Sequence, residues 1–153
     1  MFPPNFRDML HALSAERVEY LLIGGYALGI HGFQRATGDV DFWIRRTPEN
    51  ASRVMRALKS FGAPLFDLTE ADLVASGTVF QMGVNPERID ILTSISGVEF
   101  DEAWSRRIVR TIDGIEISVI GRAELLRNKR ASGRPKDRID VEWLERHPPA
   151  DTA

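Results

Sequence analysis

The sequence predicts a single α+β domain in which helices flank a mixed β-sheet. Two apolar patterns alternate along the 153 residues: amphipathic stretches with helical periodicity, and short runs with the length of buried strands. The dipeptide Asp113-Gly114 separates two of the short runs, which is a strong signal for an antiparallel hairpin. Hydrophobic residues make up 43% of the chain and charged residues 27%, so a chain of this length can bury one core.

The first half of the chain is predicted to contain three helices and two strands. Apolar residues recur at helical spacing from Phe6 to Leu13, and Pro48 suits the first turn of a later helix. The paired glycines Gly24-Gly25 stop an apolar run that has the length of a strand. The predicted elements, in order, are helix 5–16, strand 18–23, helix 26–31, strand 40–44 and helix 48–61.

The second half is predicted to contain a short helix, four strands and a C-terminal pair of helices. Turn residues and helix-capping residues separate these segments. The predicted elements are helix 69–75, strands 79–84 and 88–92, a helical turn at 100–104, strands 108–112 and 115–120, and helices 122–129 and 135–146. Neither an internal repeat nor a linker interrupts them, so we expect one domain over 1–147 and a loose tail over 148–153.

Several protein classes are disfavoured by composition. No apolar stretch approaches the roughly 20 residues that span a bilayer, and the first ten residues lack the pattern of a signal peptide. The chain has no cysteine, so it has neither a disulfide framework nor a thiolate metal site. We therefore expect a cytoplasmic protein that does not act at a membrane.

A basic segment, residues 121–138, stands out from a chain whose net charge is −2. It contains seven arginines or lysines and two acidic residues, which gives a local balance of +5. Such a segment indicates either a local anion site, with phosphate as the obvious ligand, or a solvated helix face. Composition alone does not separate these two interpretations.

The Gly24-Gly25 pair lies between a predicted strand and a predicted helix. Glycine allows a ligand to approach the backbone closely, and a helix N-terminus presents free N–H groups with a partial positive charge. This arrangement could bind phosphate, although paired glycines also form ordinary tight turns.

Three aspartates interrupt strands that are otherwise apolar. Asp39 and Asp41 alternate with Val40, so both carboxylates project from one face of their strand. Asp90 lies between two isoleucines in a later strand. Carboxylates this close repel each other, and a divalent cation such as Mg²⁺ would remove the conflict. The alternative is that these aspartates are solvated charges on half-exposed strands.

Two strings of the sequence resemble a known family. GGYALGIHGFQRATGDVDFWI, from Gly24, and KRASGRPKDRIDVEWL, from Lys129, are together similar to the polymerase-β-type nucleotidyltransferase superfamily. Within it they resemble the small bacterial AbiEii-like branch, which includes toxins of toxin–antitoxin pairs. The resemblance spans residues 18 to 145 and implies a nucleotidyltransferase fold. One departure is Tyr26, which stands where a serine of the superfamily could bond phosphate.

The resemblance implies an enzyme that moves a nucleoside monophosphate from an NTP, ATP among the candidates, to a hydroxyl of RNA, tRNA or protein. Two Mg²⁺ ions, with Mn²⁺ as an alternative, would be held by Asp39, Asp41 and Asp90. It also implies that Lys129 reaches the triphosphate and that Asp137 orients a basic group or the acceptor. Asp140 is expected to pair with an arginine.

The expected site has a catalytic set and a nucleotide-binding set. The catalytic residues are Asp39, Asp41, Asp90, Lys129 and Asp137, and the nucleotide-binding residues are Gly24, Gly25, Tyr26, Arg35 and Lys129. An antitoxin protein is expected as a partner if the chain is a toxin. Two alternatives stay open: a non-catalytic nucleotide- or RNA-binding module on the same fold, and an antibiotic-modifying transferase. The sequence leaves open the base of the NTP, the acceptor and the oligomeric state.

Overall fold

A computed structural model of the chain describes residues 2–34, 36–84 and 86–148. The described elements are α1 (Pro4–Ala15), β1 (Tyr20–Ile23), α2 (Gly24–Ile30), β2 (Asp39–Ile44), α3 (Pro48–Phe61), α4 (Glu70–Val74), β3 (Val79–Met82), β4 (Arg88–Leu92), α5 (Phe100–Ser105), β5 (Ile108–Ile112), β6 (Ile115–Val119), α6 (Arg122–Ser132) and α7 (Pro135–Arg146). The predicted α+β class is confirmed. Most of the predicted tail, 149–153, lies outside the described residues.

The six strands form one mixed sheet in the order β3-β4-β2-β1-β6-β5. Two pairs are parallel, β2 with β4 and β1 with β6, and the other three pairs are antiparallel. The hairpin predicted at Asp113-Gly114 joins β5 to β6, and both turn residues have positive φ. The sheet therefore places the two aspartate-bearing strands, β2 and β4, side by side.

Helix boundaries follow local capping chemistry. Helix α3 begins with Pro48 after Thr47, whose hydroxyl accepts a hydrogen bond from the backbone N–H of Asn50. It ends at Gly62, which adopts the left-handed conformation with φ of 92°. Thr69 and Asp72 form a capping box at α4. These signals are local in the sequence, which explains why helices 48–61 and 69–75 were predictable.

The C-terminal helices α6 and α7 pack against each other as the predicted pair. Helix α6 extends to Ser132, three residues beyond its predicted end at residue 129, and Gly133 with φ of 63° terminates it. Pro135 then begins α7. None of the helices in the described part of the chain is long and apolar enough to cross a bilayer.

Alternation along β2 divides its side chains between two environments. Val40 and Phe42 are fully buried in the core, while Asp39 and Asp41 are only partly buried and line a cleft. Asp90 of β4 faces the same cleft and is 5% exposed. The hydrophobic alternation thus directs all three carboxylates to one side of the sheet.

Candidate active site

The parallel pairing of β2 with β4 assembles a cluster of three carboxylates. Its register sets Asp41 opposite Asp90, and Asp39 opposite Arg88. One carboxylate oxygen of each aspartate lies within 4.8 Å of the corresponding oxygens of the other two. Asp90 therefore joins two aspartates that lie 49 and 51 positions before it in the sequence, and the three form one compact group, which we call the carboxylate triad.

The carboxylate triad rests against Gly24 and Gly25, the first two residues of α2, which directly follow β1 and which we call the glycine turn. Gly24 has a φ of 72°, a conformation that other L-residues rarely adopt. A Cβ atom at this position would lie 2.2 Å from Asp41 Oδ2, and one at Gly25 would lie 2.7 Å from Thr37 Oγ1. The protein's own packing therefore requires glycine at these two positions. This is a second reason for the glycines, beside the close approach of phosphate that the sequence predicts.

Substitution of Gly24 tests this close approach. We expect Gly24→Ala to lower the free energy of unfolding by about 2–4 kcal/mol, since positive φ and the clash with Asp41 both add strain. Gly114→Ala is the matched control, because Gly114 has a similar φ of 78° and nothing lies within 4 Å of a Cβ built there. Urea denaturation of both variants measures the difference, and equal losses would contradict a steric role for Asp41.

Arg88 supplies positive charge to the carboxylate triad. Its Nε and Nη2 atoms donate to the two oxygens of Asp90 at 2.9 and 3.0 Å, and Nη2 also donates to Asp39 Oδ2 at 2.8 Å. These charged hydrogen bonds raise the pKa of Arg88 above its ordinary value, with Asp90 as the largest cause. Arg88 therefore neutralises part of the negative charge of the triad through Asp39 and Asp90.

Asp41 has the most perturbed environment of the three acids. Burial, the negative charge of Asp39, and a hydrogen bond and charge from Asp90 together raise the pKa of Asp41 to about 8. The positive charge of Lys129 opposes this shift. Asp41 consequently holds a proton at neutral pH when no cation is bound, as expected for like charges crowded into one site.

The donor set fits a hard divalent cation. Three carboxylates with converging oxygens, partly withdrawn from water, are the ligands that Mg²⁺ and Mn²⁺ prefer. Like-charge repulsion in the triad, visible in the raised pKa of Asp41, would be relieved by such a cation. Asp39, Asp41 and Asp90 are therefore the residues that could hold a metal.

A second charged cluster joins α6 to α7. The Lys129 ammonium, whose residue is 7% exposed, lies 3.2 Å from Asp137 Oδ1 and 3.1 Å from Asp140 Oδ2. Ser132 and Arg134 also donate to Asp137. Although burial alone would raise the pKa of Asp137, these hydrogen bonds and the charge of Lys129 lower it. Lys129 is thus an ion-pair partner of Asp140, and the expected pairing of Asp140 with an arginine stays a prediction.

Most of the predicted site residues line one cleft, which has a volume of about 540 Å³. Its walls include Gly24, Gly25, Asp39, Asp41, Asp90 and Lys129. Asp137 is not among the lining residues and is buried behind Lys129. Tyr26 is also outside the lining: its ring packs against Phe2 and Phe6. Arg35, predicted to bind nucleotide, lies outside the described residues.

Sequence reasoning missed one basic residue that lines the cleft, Arg88 of β4. Arg134 and Lys136 of the basic segment line it too. A signal for Arg88 was present, because alternation places it on the same face of β4 as Asp90. Other arginines of the basic segment pair with acids: Arg127 with Glu102 at 2.6 Å and Arg130 with Glu145 at 2.5 Å. The basic residues that the segment contributes to the cleft lining are therefore Lys129, Arg134 and Lys136.

Fold and site together have the features of a nucleotidyltransferase, and comparison with known proteins identifies the family. The model of the family described as "nucleotidyltransferase of unknown function" (DUF6036) matches residues 6–145, so the chain belongs to that family. A solved structure from Thermotoga maritima, described as that of a candidate nucleotidyltransferase, is similar in fold with a TM-score of 0.63. It is 16% identical, and the match covers 96% of this chain and 97% of that one. No curated protein matches the chain.

Proposed function

We propose that this protein is a metal-dependent nucleotidyltransferase that moves a nucleoside monophosphate from an NTP to an acceptor hydroxyl, breaking the bond between the α- and β-phosphates and releasing pyrophosphate. The carboxylate triad carries the proposal, since three carboxylates converge beside a glycine turn in a cleft that also contains cations. An NTP brings four negative charges, for which such a cleft offers both metal ligands and basic side chains. Membership of a nucleotidyltransferase family supports the same reaction class.

In this proposal each part of the cleft has a role. Asp39, Asp41 and Asp90 hold Mg²⁺, or Mn²⁺, which supplies Lewis-acid stabilisation of phosphate charge when bound. Lys129 offers the triphosphate its remaining N–H, and Asp137 fixes the Lys129 ammonium in position. Lys136 and Arg134 add positive charge at the cleft wall. Asp90 also accepts the proton of the attacking hydroxyl, because its strand β4 is separated by β2 from β1, which leads into the glycine turn.

The proposal also names the acceptor of the nucleotide and the cellular role of the protein. The acceptor is a hydroxyl of RNA or of protein, and the chain is a cytoplasmic toxin of the AbiEii-like branch that an antitoxin protein restrains. These statements rest on the two sequence strings that resemble the branch. They are separable from the reaction itself, because transfer can be measured without knowing the acceptor in advance.

A direct assay tests the function. The purified protein is incubated with each α-³²P-labelled NTP, Mg²⁺, and either total cellular RNA or total cellular protein. Label incorporated into one macromolecular fraction, and lost in an Asp39→Asn/Asp41→Asn variant, is the expected result. Absence of incorporation from all four NTPs in both fractions would favour the non-catalytic binding module.

Asp90→Ala separates chemistry from nucleotide binding. If Asp90 serves the acceptor hydroxyl, this variant is expected to lose at least about a hundredfold in turnover while NTP affinity changes less than about threefold. Turnover and equilibrium binding of a non-hydrolysable NTP analogue provide the measurements. Equal losses in both would make Asp90 part of the nucleotide pocket instead.

A further inference from the structure

Arg88 occupies the oxygens that a metal ion would need. It donates to both oxygens of Asp90 and to one oxygen of Asp39, so it covers two of the three carboxylates in the triad. Asp90 is nearly inaccessible to water, with its side chain 7% exposed. The guanidinium of Arg88 is therefore the cation that pairs with Asp90.

The charges show why this pairing bears on metal binding. Three ionised aspartates carry −3, Arg88 contributes +1, and one divalent cation contributes +2, so the triad is neutral with Arg88 and a single cation. A second cation becomes favourable only with additional negative charge or after Arg88 has moved away. The negative triphosphate of an NTP supplies such charge and is also a good partner for a guanidinium.

Arg88 is placed where it can change partners. It is the first residue of β4, its side chain is 29% exposed, and it lines the cleft. A guanidinium on the first residue of a strand can reorient by rotation about its own side-chain torsions without altering the sheet. Thr37, Gly24 and Gly25 line the same cleft.

We propose that Arg88 is an exchangeable counter-ion of the carboxylate triad. It pairs with Asp39 and Asp90 while no divalent cation is bound, and it turns to the triphosphate of the incoming nucleotide when cations occupy the triad. Arg88 is then both a competitor of the first cation and a ligand of the substrate. This inference rests on the proposed function, which supplies the triphosphate.

Calorimetry without any nucleotide tests the first half of the inference. Arg88→Met removes the charge and keeps most of the side-chain volume, so the variant is expected to bind Mn²⁺ at least about tenfold more tightly than wild type. Even with the dielectric constant of water, a unit charge about 5 Å from a divalent cation has an effect of this order. Arg88→Lys keeps the charge and is expected to retain an affinity close to that of wild type.

Arg110→Met is the matched control for net charge. Arg110 lies on β5, at the opposite edge of the sheet from the β3–β4 side. Its loss changes the net charge equally but is expected to leave Mn²⁺ affinity unchanged within about twofold. A purely structural role for Arg88 predicts equal or weaker Mn²⁺ binding in Arg88→Met, and that result would overturn the inference.

The second half is tested with inorganic tripolyphosphate, which lacks the unknown base. Arg88→Met is expected to bind tripolyphosphate in excess Mg²⁺ about tenfold more weakly than wild type, opposite to its change in Mn²⁺ affinity. Unchanged binding of tripolyphosphate would refute the exchange. If the two affinities change in opposite directions but wild type transfers no nucleotide, the proposed function fails while the exchange of Arg88 stands.

A measurement on wild type removes dependence on the folding of the variants. The Arg88 Nε–H donates to Asp90 Oδ1, so its NMR signal, assigned by comparison with Arg88→Lys, reports the pairing directly. Addition of Mg²⁺ and tripolyphosphate is expected to shift this signal and to speed its exchange with water. A signal unchanged at saturation would show that Arg88 keeps its partners, contrary to the proposal.

Discussion

Replacing Lys129 by methionine is expected to lower the free energy of unfolding by about 3–5 kcal/mol, because it removes the ammonium that lies against two buried carboxylates. Asp137 and Asp140 both lie against the Lys129 ammonium and are almost inaccessible to water. Methionine fills most of the volume of lysine. The loss of stability therefore reflects the missing positive charge more than a cavity. Chemical denaturation at neutral pH provides the measurement.

The double variant Lys129→Met/Asp140→Asn provides the control. Removing one of the two negative charges is expected to restore part of the stability, since less uncompensated charge remains buried. A single variant as stable as wild type would refute the account of this cluster. Turnover measured well below the melting temperature then tests catalysis: full activity of Lys129→Met would exclude its proposed contact with the triphosphate.

Asp41→Asn is expected to reduce nucleotidyl transfer by at least about a thousandfold, since it removes one of the three proposed metal ligands. The same variant is expected to be more stable than wild type without metal at pH 8, by about 3 °C or more in Tm. Asparagine is neutral, so it removes the repulsion from Asp39 and Asp90.

The sign of the pH effect follows from the raised pKa of Asp41. Its carboxyl has a pKa of about 8 in the folded protein against 3.8 as the ordinary value. Between these values the folded state retains a proton that the unfolded state has lost, so wild-type stability falls as pH rises. The advantage of Asp41→Asn should therefore grow from pH 4 to pH 8, as thermal unfolding in EDTA can measure. A constant advantage across this range would contradict the assigned pKa.

Asp39→Asn is the informative comparison for Asp41→Asn. Asp39 accepts a hydrogen bond from Arg88 at 2.8 Å, and this charged interaction is weakened by an amide. We expect Asp39→Asn to lose transfer as Asp41→Asn does, but without the gain in stability. The sequence alone treats the two aspartates alike, and their partners in the structure distinguish them.

Local signals explain why the elements of the fold were predictable. Helix α3 carries its own start and end signals in Thr47, Pro48 and Gly62, and the hairpin between β5 and β6 is marked by Asp113-Gly114. Such signals act within a few residues, so they can be read without knowledge of distant contacts. Even so, the predicted end of α6 was three residues too early. No helix-terminating residue stands between Lys129 and Ser132, so the helix continues until Gly133.

The sequence by itself determined the helices, the strands and the direction of the three aspartates. Hydrophobic alternation buries Val40 and Ile89, and it thereby turns Asp39, Asp41 and Asp90 away from the core. Only the tertiary structure decided which charges meet. Strand order and register set Arg88 against Asp39, and the packing of α6 on α7 sets Lys129 between Asp137 and Asp140. Charge pairing depends on positions in space at the scale of a few ångströms, and a one-dimensional pattern does not contain those distances.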